Sequence, residues 1–288
     1  MGAARGRLFG VGFVLPAAVF LVLVFLVPLV RVLSLSLHPV DGAGNPLPEF
    51  SLVQYQRVFT ESFFSQALVS SFQTSLLVTA LCLALGYPVA YALSRVPGGA
   101  LRTLMFVIVL SPLLTSVVVR SYGWVVLLSA NGVVNRFLVG TGIADQPLPL
   151  LTSYTAVVVS VTHVLLPFAI IPLTTALGGI DPHLRRASQS LGAGPARTFG
   201  RVTLPLSLPG VAAACMVVFP LSMGIYITPL LVGGANQPLA GLRVYSQITS
   251  VYDYPVAAAL SLTLLVLTLV CVAAMGAGFR FWERRNHG

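Results

Sequence analysis

Few side chains in this 288-residue sequence could do chemistry, and those few lie in or beside long apolar runs. His163 sits inside one such run, where it serves either as a proton relay or as an imidazole bonded to the backbone of a neighbouring helix. Thr115, Ser116, Arg120, Ser121, Tyr122 and Trp124 crowd into one short segment, and Tyr226, Thr228 and Pro229 form a second, smaller group. Hydroxyls and aromatic faces so arranged suit a path that handles a cationic amine by hydrogen bonding and cation–π contact. The alternative is an interfacial aromatic belt with an arginine reaching to the surface, and Trp124 fits that alternative best. Arg120 opposes a cationic solute if it faces the path.

No G-x-S-x-G, H-E-x-x-H or C-x-x-C spacing occurs, so neither nucleophilic nor metal-assisted catalysis is expected. A G-x-x-x-x-G-K-[ST] phosphate loop is also missing, so the chain is expected to bind no cofactor or metal and to hydrolyse no ATP itself. Cys82, Cys215 and Cys271 fall within apolar runs and read as small buried hydrophobes.

The elements that must position these residues are membrane spans. Hydrophobic residues make up 57% and charged residues 8% of the chain, a balance foreign to soluble globular domains. The net charge of +9 comes from arginines scattered between apolar runs, which fits membrane topology better than nucleic-acid binding. Intervals free of charge, each near the ~20 residues a bilayer crossing needs, place spans at about 11–33, 69–94, 103–128, 151–177, 204–232 and 255–278 in a single domain. The first is read as a retained anchor, its apolar stretch being longer than that of a signal peptide. Residues 38–50 read as an extramembrane loop, 51–67 as interfacial helix, and 131–146 as a second outer loop with a short helix. The third span is expected to run past Arg120 as one helix. Pro167 and Pro172 are expected to kink the fourth span, and Pro220 and Pro229 to bend or break the fifth. Eleven arginines fall on the side of the two termini and five on the other, so the positive-inside rule places both termini in the cytoplasm.

The longest polar segment between two spans is Asp181–Gly210, DPHLRRASQSLGAGPARTFGRVTLPLSLPG. Asp181 followed by Pro182 starts a helix, Gly192 ends it in left-handed geometry, and Gly194-Pro195 starts another. The run Leu184–Ala193, with Phe199, Val202, Leu204-Pro205 and Pro209-Gly210, resembles the "EAA" loop of bacterial ABC importer permeases. Arg186 stands where that motif has its glutamate, and Ser188 replaces its second alanine. The resemblance implies an all-α membrane protein of six transmembrane helices with a cytoplasmic coupling helix, a MetI-like permease fold. It also implies that the loop, 181–203, meets a separate ATPase through Leu184, Arg185, Arg186, Ala187, Ser188, Leu191, Gly192 and Ala193. For Arg185 and Arg186, anchoring at lipid head groups is an equal alternative to meeting an acidic ATPase groove.

Three further stretches, Ser111–Trp124, Gln146–Leu150 and Ile227–Gly234, look like the permease subunits of spermidine/putrescine importers, and like relatives proposed to carry aminoethylphosphonate. This resemblance implies a solute path including Thr115, Ser116, Arg120, Tyr122, Tyr226 and Thr228. The implied partners are an ABC ATPase dimer that uses ATP and Mg, an extracytoplasmic solute-binding protein, and a second permease subunit, related or identical. The implied place is the bacterial inner membrane. A stand-alone channel or secondary transporter is the competing reading, weakened by how few ionisable groups the spans hold.

Overall fold

The computed structural model describes residues 2–41, 47–234 and 237–287, and the side chains of these except 2–14, 18 and 283–287. Residues 42–46 of the first loop and Ala235 and Asn236 of the turn after the fifth span lie outside the described residues, as do the side chains of Arg5, Arg7, Arg284 and Arg285.

Among the described residues the chain is helical almost throughout and has no sheet. The helices are α1 (Gly2–Ser36), α2 (Val53–Thr60), α3 (Ser62–Arg95), α4 (Ala100–Leu114), α5 (Val117–Leu128), α6 (Val133–Gly140), α7 (Tyr154–Gly178), α8 (Pro182–Ser190), α9 (Pro195–Thr198), α10 (Leu204–Met223), α11 (Ile227–Gly233), α12 (Ala240–Ser246) and α13 (Tyr254–His287). π-helical turns at Phe199–Thr203 and Gln247–Val251 join α9 to α10 and follow α12. Six helical stretches are long and apolar enough to cross a membrane: Leu15–Ser36, Ser62–Arg95, Val117–Gly140, Tyr154–Gly178, Pro195–Met223 and Tyr254–Trp282.

The third span differs from its expected form as one helix over 103–128. α4 stops at Leu114, Thr115 is extended, and Ser116 caps α5 by accepting the Val118 N–H at 3.3 Å. A hydroxyl placed to cap competes with helix continuation, so Thr115-Ser116 interrupts the run. At 15 residues, α4 reaches about 22 Å, short of the hydrocarbon core. A second interruption separates α10 from α11 at Gly224–Tyr226.

The chain divides into two compact units. The first, Met1–Ser65 with Val244–Thr263, is tied by polar contacts. Ser36 Oγ and Tyr55 Oη share a hydrogen bond of 2.8 Å, and Gln54 Nε2 donates to the His38 carbonyl at 3.2 Å. Arg57 bridges Glu61 at 2.9 Å and Asp253 at 3.0 Å.

The second unit, Gln66–Arg243 with Leu264–Gly288, is built around α7. Ser153 caps this helix by accepting the Ala156 N–H, and the helix runs unbroken through Pro167 and Pro172. It is apolar on all sides, as suits a central helix. Val157, Val161, Leu165, Leu173 and Leu177 pack in one cluster with Val78, Cys82 and Leu93 of α3 and Ala214 and Val218 of α10. Lipid tails are as apolar as leucine, so close backbone approach rather than water exclusion drives such pairing. Gly210 supplies it: a Cβ there would overlap the Ala176 Cβ and lie 3.2 Å from the Pro172 carbonyl oxygen.

Candidate functional site

The polar segment after α7 folds as its residue types dictate. Asp181 Oδ1 accepts the His183 N–H at 2.8 Å, Pro182 opens α8, and Gly192 takes φ of +82°. That turn lets the Gly192 and Ala193 N–H groups reach the carbonyls of Gln189 and Ser188 at 2.9 and 3.1 Å, closing α8 before Pro195 opens α9. Ser188 Oγ and Thr198 Oγ1, 3.2 Å apart, clamp the two short helices together. The pair is docked on the C-terminal end of α3, where Phe199 meets the Tyr87 and Tyr91 rings edge-on at 5.8 and 5.6 Å. Tyr87 Oη also shares a 2.7 Å hydrogen bond with Ser207 Oγ of α10.

Of the residues expected at the coupling surface, Leu184, Arg186, Ala187, Leu191 and Gly192 are exposed, and Ser188 and Ala193 are half-buried. Leu191 is 89% exposed, an unusual situation for a leucine held in an ordered turn. Arg185 is instead buried, so of the two adjacent arginines one is enclosed and the other exposed. Burial lowers the Arg185 pKa from its ordinary value, the nearby Arg95 lowers it further, and Tyr91 offsets part of this.

The residues expected to line a path gather at the two helix interruptions. α11 packs on α5 and α7, and Ser121 of α5 meets Thr228 of α11 through a buried hydroxyl pair 2.9 Å apart. Thr228 is fully enclosed, so its hydroxyl belongs to this joint. Thr115, Ser116, Tyr122 and Tyr226 are exposed. Arg120 is half-buried, and its Nε and Nη1 are enclosed without an acceptor. One turn further along α5, Trp124 donates its indole N–H to His163 Nδ1 at 3.3 Å, and the rings stand at 72°. His163 is thus bonded to a side chain rather than to a neighbouring backbone. Because Nδ1 accepts, a neutral imidazole here carries its proton on Nε2.

A cleft of about 570 Å3 between α10 and α13 is lined by Pro205, Leu208, Met216, Val272, Gly276 and Phe279, among others. Arg280 is the one charged residue of this otherwise largely apolar lining, which suits a lipid chain or another helix rather than a polyamine.

Six helical stretches long and apolar enough to cross a membrane, with an exposed two-helix loop between two of them, are the layout of a polytopic membrane protein. Residues 82–286 match the family described as binding-protein-dependent transport system inner membrane component, and the chain belongs to that family. It is 33% identical over 248 residues to the spermidine/putrescine transport system permease protein PotB of Escherichia coli K12, covering 86% of this chain and 90% of that one. It is also 33% identical over 258 residues to PotB of Haemophilus influenzae, covering 89% and 90%. In fold it is similar to the crystal structure of a bacterial ABC transporter that imports the acidic polysaccharide alginate, with a TM-score of 0.72 at 22% identity over 96% of this chain and 97% of that one. The chain is therefore a multi-pass inner-membrane permease of the ABC importer type.

Proposed function

We propose that this permease carries a polyamine such as spermidine or putrescine, or a related amine such as aminoethylphosphonate. The similarity to PotB over most of both chains supports the substrate class. Both termini and the α8–α9 loop are read as cytoplasmic from the arginine distribution. The observation that carries the mechanism is the loop itself: α8 and α9 are clamped on the end of α3 yet leave Leu184 and Leu191 bare. An apolar pair displayed on a rigid mount is a docking surface. The partner is a separate ATPase dimer, which uses ATP and Mg. Ala187, Gly192 and Ala193 allow its close approach, and Arg186 meets its acidic groups.

Motion of α8 passes through the Ser188–Thr198 clamp and the Phe199 contact into α3 and α10, and rigid-body movement of the spans alternates access to the path. Tyr122 and Tyr226 offer aromatic faces to the amine, Thr115 and Ser116 offer hydroxyls, and Arg120 limits how tightly a polycation is held. A second permease subunit, related or identical, completes the path, and a solute-binding protein delivers the substrate. The test is ATP-dependent putrescine uptake into liposomes holding this chain with its co-purified subunits. Uptake that needs both ATP and the binding protein supports the reading. Flux by this chain alone, without ATPase subunits, would replace it with the channel or secondary-transporter reading.

A further inference from the structure

Arg185 carries a requirement that nothing else among the described residues meets. It is 8% exposed, and its Nη1 is enclosed without an acceptor. The titratable groups acting on it are a second arginine, Arg95, and Tyr91. Arg95 donates from Nη2 to the Tyr91 hydroxyl, and its guanidinium carbon stands 4.7 Å from the centre of that ring. Arg95 is thus held on Tyr91 at the end of α3, where Phe199 docks the loop, and its charge acts on Arg185. Asp181, the acid nearest in sequence, is exposed and spends Oδ1 on the His183 N–H.

Among the described residues no acceptor reaches the enclosed Nη1; a buried cationic donor left unpaired is strongly unfavourable, which favours an acceptor from outside the chain. The side chain is turned away from the face that bears Leu184 and Leu191, so a protein seated on that face is poorly placed to supply it. The end of a membrane-spanning helix, by contrast, lies at head-group depth, where phosphate oxyanions are concentrated. A guanidinium fork fits such an oxyanion through paired N–H donors.

We propose that Arg185 and Arg95 form a seat for a phosphate-type oxyanion, the phosphate of an anionic phospholipid or free inorganic phosphate, that pins the α8 loop to the end of α3. The inference rests on α3 spanning the membrane and is independent of which solute is carried. An occupied seat fixes α8 against α3, so the loop transmits movement to the spans; an empty one leaves like charges to push the loop away.

The test is native mass spectrometry of the full-length chain extracted in mild detergent, with melting followed as phosphatidylglycerol or inorganic phosphate is added. The wild type is expected to retain phosphatidylglycerol, with Arg185→Gln and Arg95→Gln each weakening retention about tenfold to a hundredfold. Arg197→Gln, at an exposed position in the same loop, is expected to bind as the wild type does. Stabilisation by inorganic phosphate but not by the lipid, lost in both variants, identifies free phosphate as the occupant. The exposed Arg95 serves as the probe if Arg185→Gln does not fold. Equal retention by wild type and both variants would overturn the proposal, as would stabilisation by the ATPase subunit alone, which would assign the seat to a partner carboxylate.

Discussion

Ser121 and Thr228 join two interrupted helices through a hydrogen bond of 2.9 Å between buried hydroxyls. Ser121 Oγ also donates to the Val117 carbonyl at 2.8 Å, which commits its only proton, so Thr228 is the donor to Ser121. The two substitutions are therefore unequal. Thr228→Val removes a donor and leaves Ser121 satisfied by Val117, with an expected loss of about 0.6–2 kcal/mol. Ser121→Ala leaves the enclosed Thr228 hydroxyl without its acceptor and is expected to lose more, about 1–3 kcal/mol. Thermal melting of the two variants in one detergent checks the order; the reverse order would mean that Ser121 is the donor.

Gly210 sets the crossing of α10 over α7. A Cβ at this position would overlap the Ala176 Cβ, and backbone lies close behind it at the Pro172 carbonyl. Gly210→Ala is expected to destabilise the fold by about 1–3 kcal/mol, the usual magnitude for overpacking. Ala176→Gly in the same chain should recover part of that loss, because it removes the overlapping methyl group while the Pro172 carbonyl contact and the cost of a glycine within α7 remain. Melting temperatures of the single and double variants measure the rescue, and additive losses would show that the crossing is set elsewhere.

How much of this was legible in the sequence varies with what fixes each feature. Six apolar stretches follow from where the arginines are not, and α8, its Gly192 turn and α9 follow from local chemistry at Asp181-Pro182, Gly192 and Gly194-Pro195. The break at Thr115-Ser116 had a signal, a capping serine after Pro112, but the run reads as continuous because every residue from 103 to 119 is uncharged. The π-helical turn at Phe199–Thr203 has no sequence signature of comparable strength. Nor could sequence separate Arg185 from Arg186: adjacent helical residues point about 100° apart, and only the packing of α8 within the folded loop decides which one is enclosed. Thr228 likewise has the chemistry of a path residue and becomes a joint residue only because Ser121 stands opposite.

The Arg57–Asp253 pair tests how firmly the first unit is held. Asp253 accepts the Arg57 guanidinium at 3.0 Å through Oδ2 and the Val256 N–H at 3.2 Å through Oδ1, so it is both ion-pair partner and helix cap. Burial alone would lower the Arg57 pKa, but hydrogen bonds and charge from Glu61 and Asp253 outweigh it and leave it raised. Arg57 therefore contributes its stabilisation in full below its ordinary pKa and loses it only in strong alkali. Partial exposure limits the pair, and Arg57→Gln is expected to cost about 0.5–1 kcal/mol, less at high salt. Asp253→Ala removes the cap as well and is expected to cost about twice as much. Melting curves at low and high salt, flat between neutral pH and pH about 10 if Arg57 behaves this way, check both statements.

Leu191 separates a docking role from a folding role. It closes α8, yet 89% of it is exposed, so its side chain contributes almost nothing to internal packing. Leu191→Asp is expected to leave expression and melting within about 0.5 kcal/mol of the wild type. If the residue docks on the ATPase, the same change places a carboxylate in a desolvated contact, and hot-spot losses of about 2 kcal/mol or more imply at least a thirtyfold weaker association. Co-purification of the ATPase and substrate-stimulated ATP hydrolysis should then both collapse while the chain stays folded. Arg186→Glu, also on the exposed face, places a negative charge nearer the α8 N-terminus, where the helix dipole favours it by a few tenths of a kcal/mol. Coupling lost in Arg186→Glu would show that the ATPase surface facing it is acidic; coupling kept would leave Leu184 and Leu191 as the contact that transmits movement.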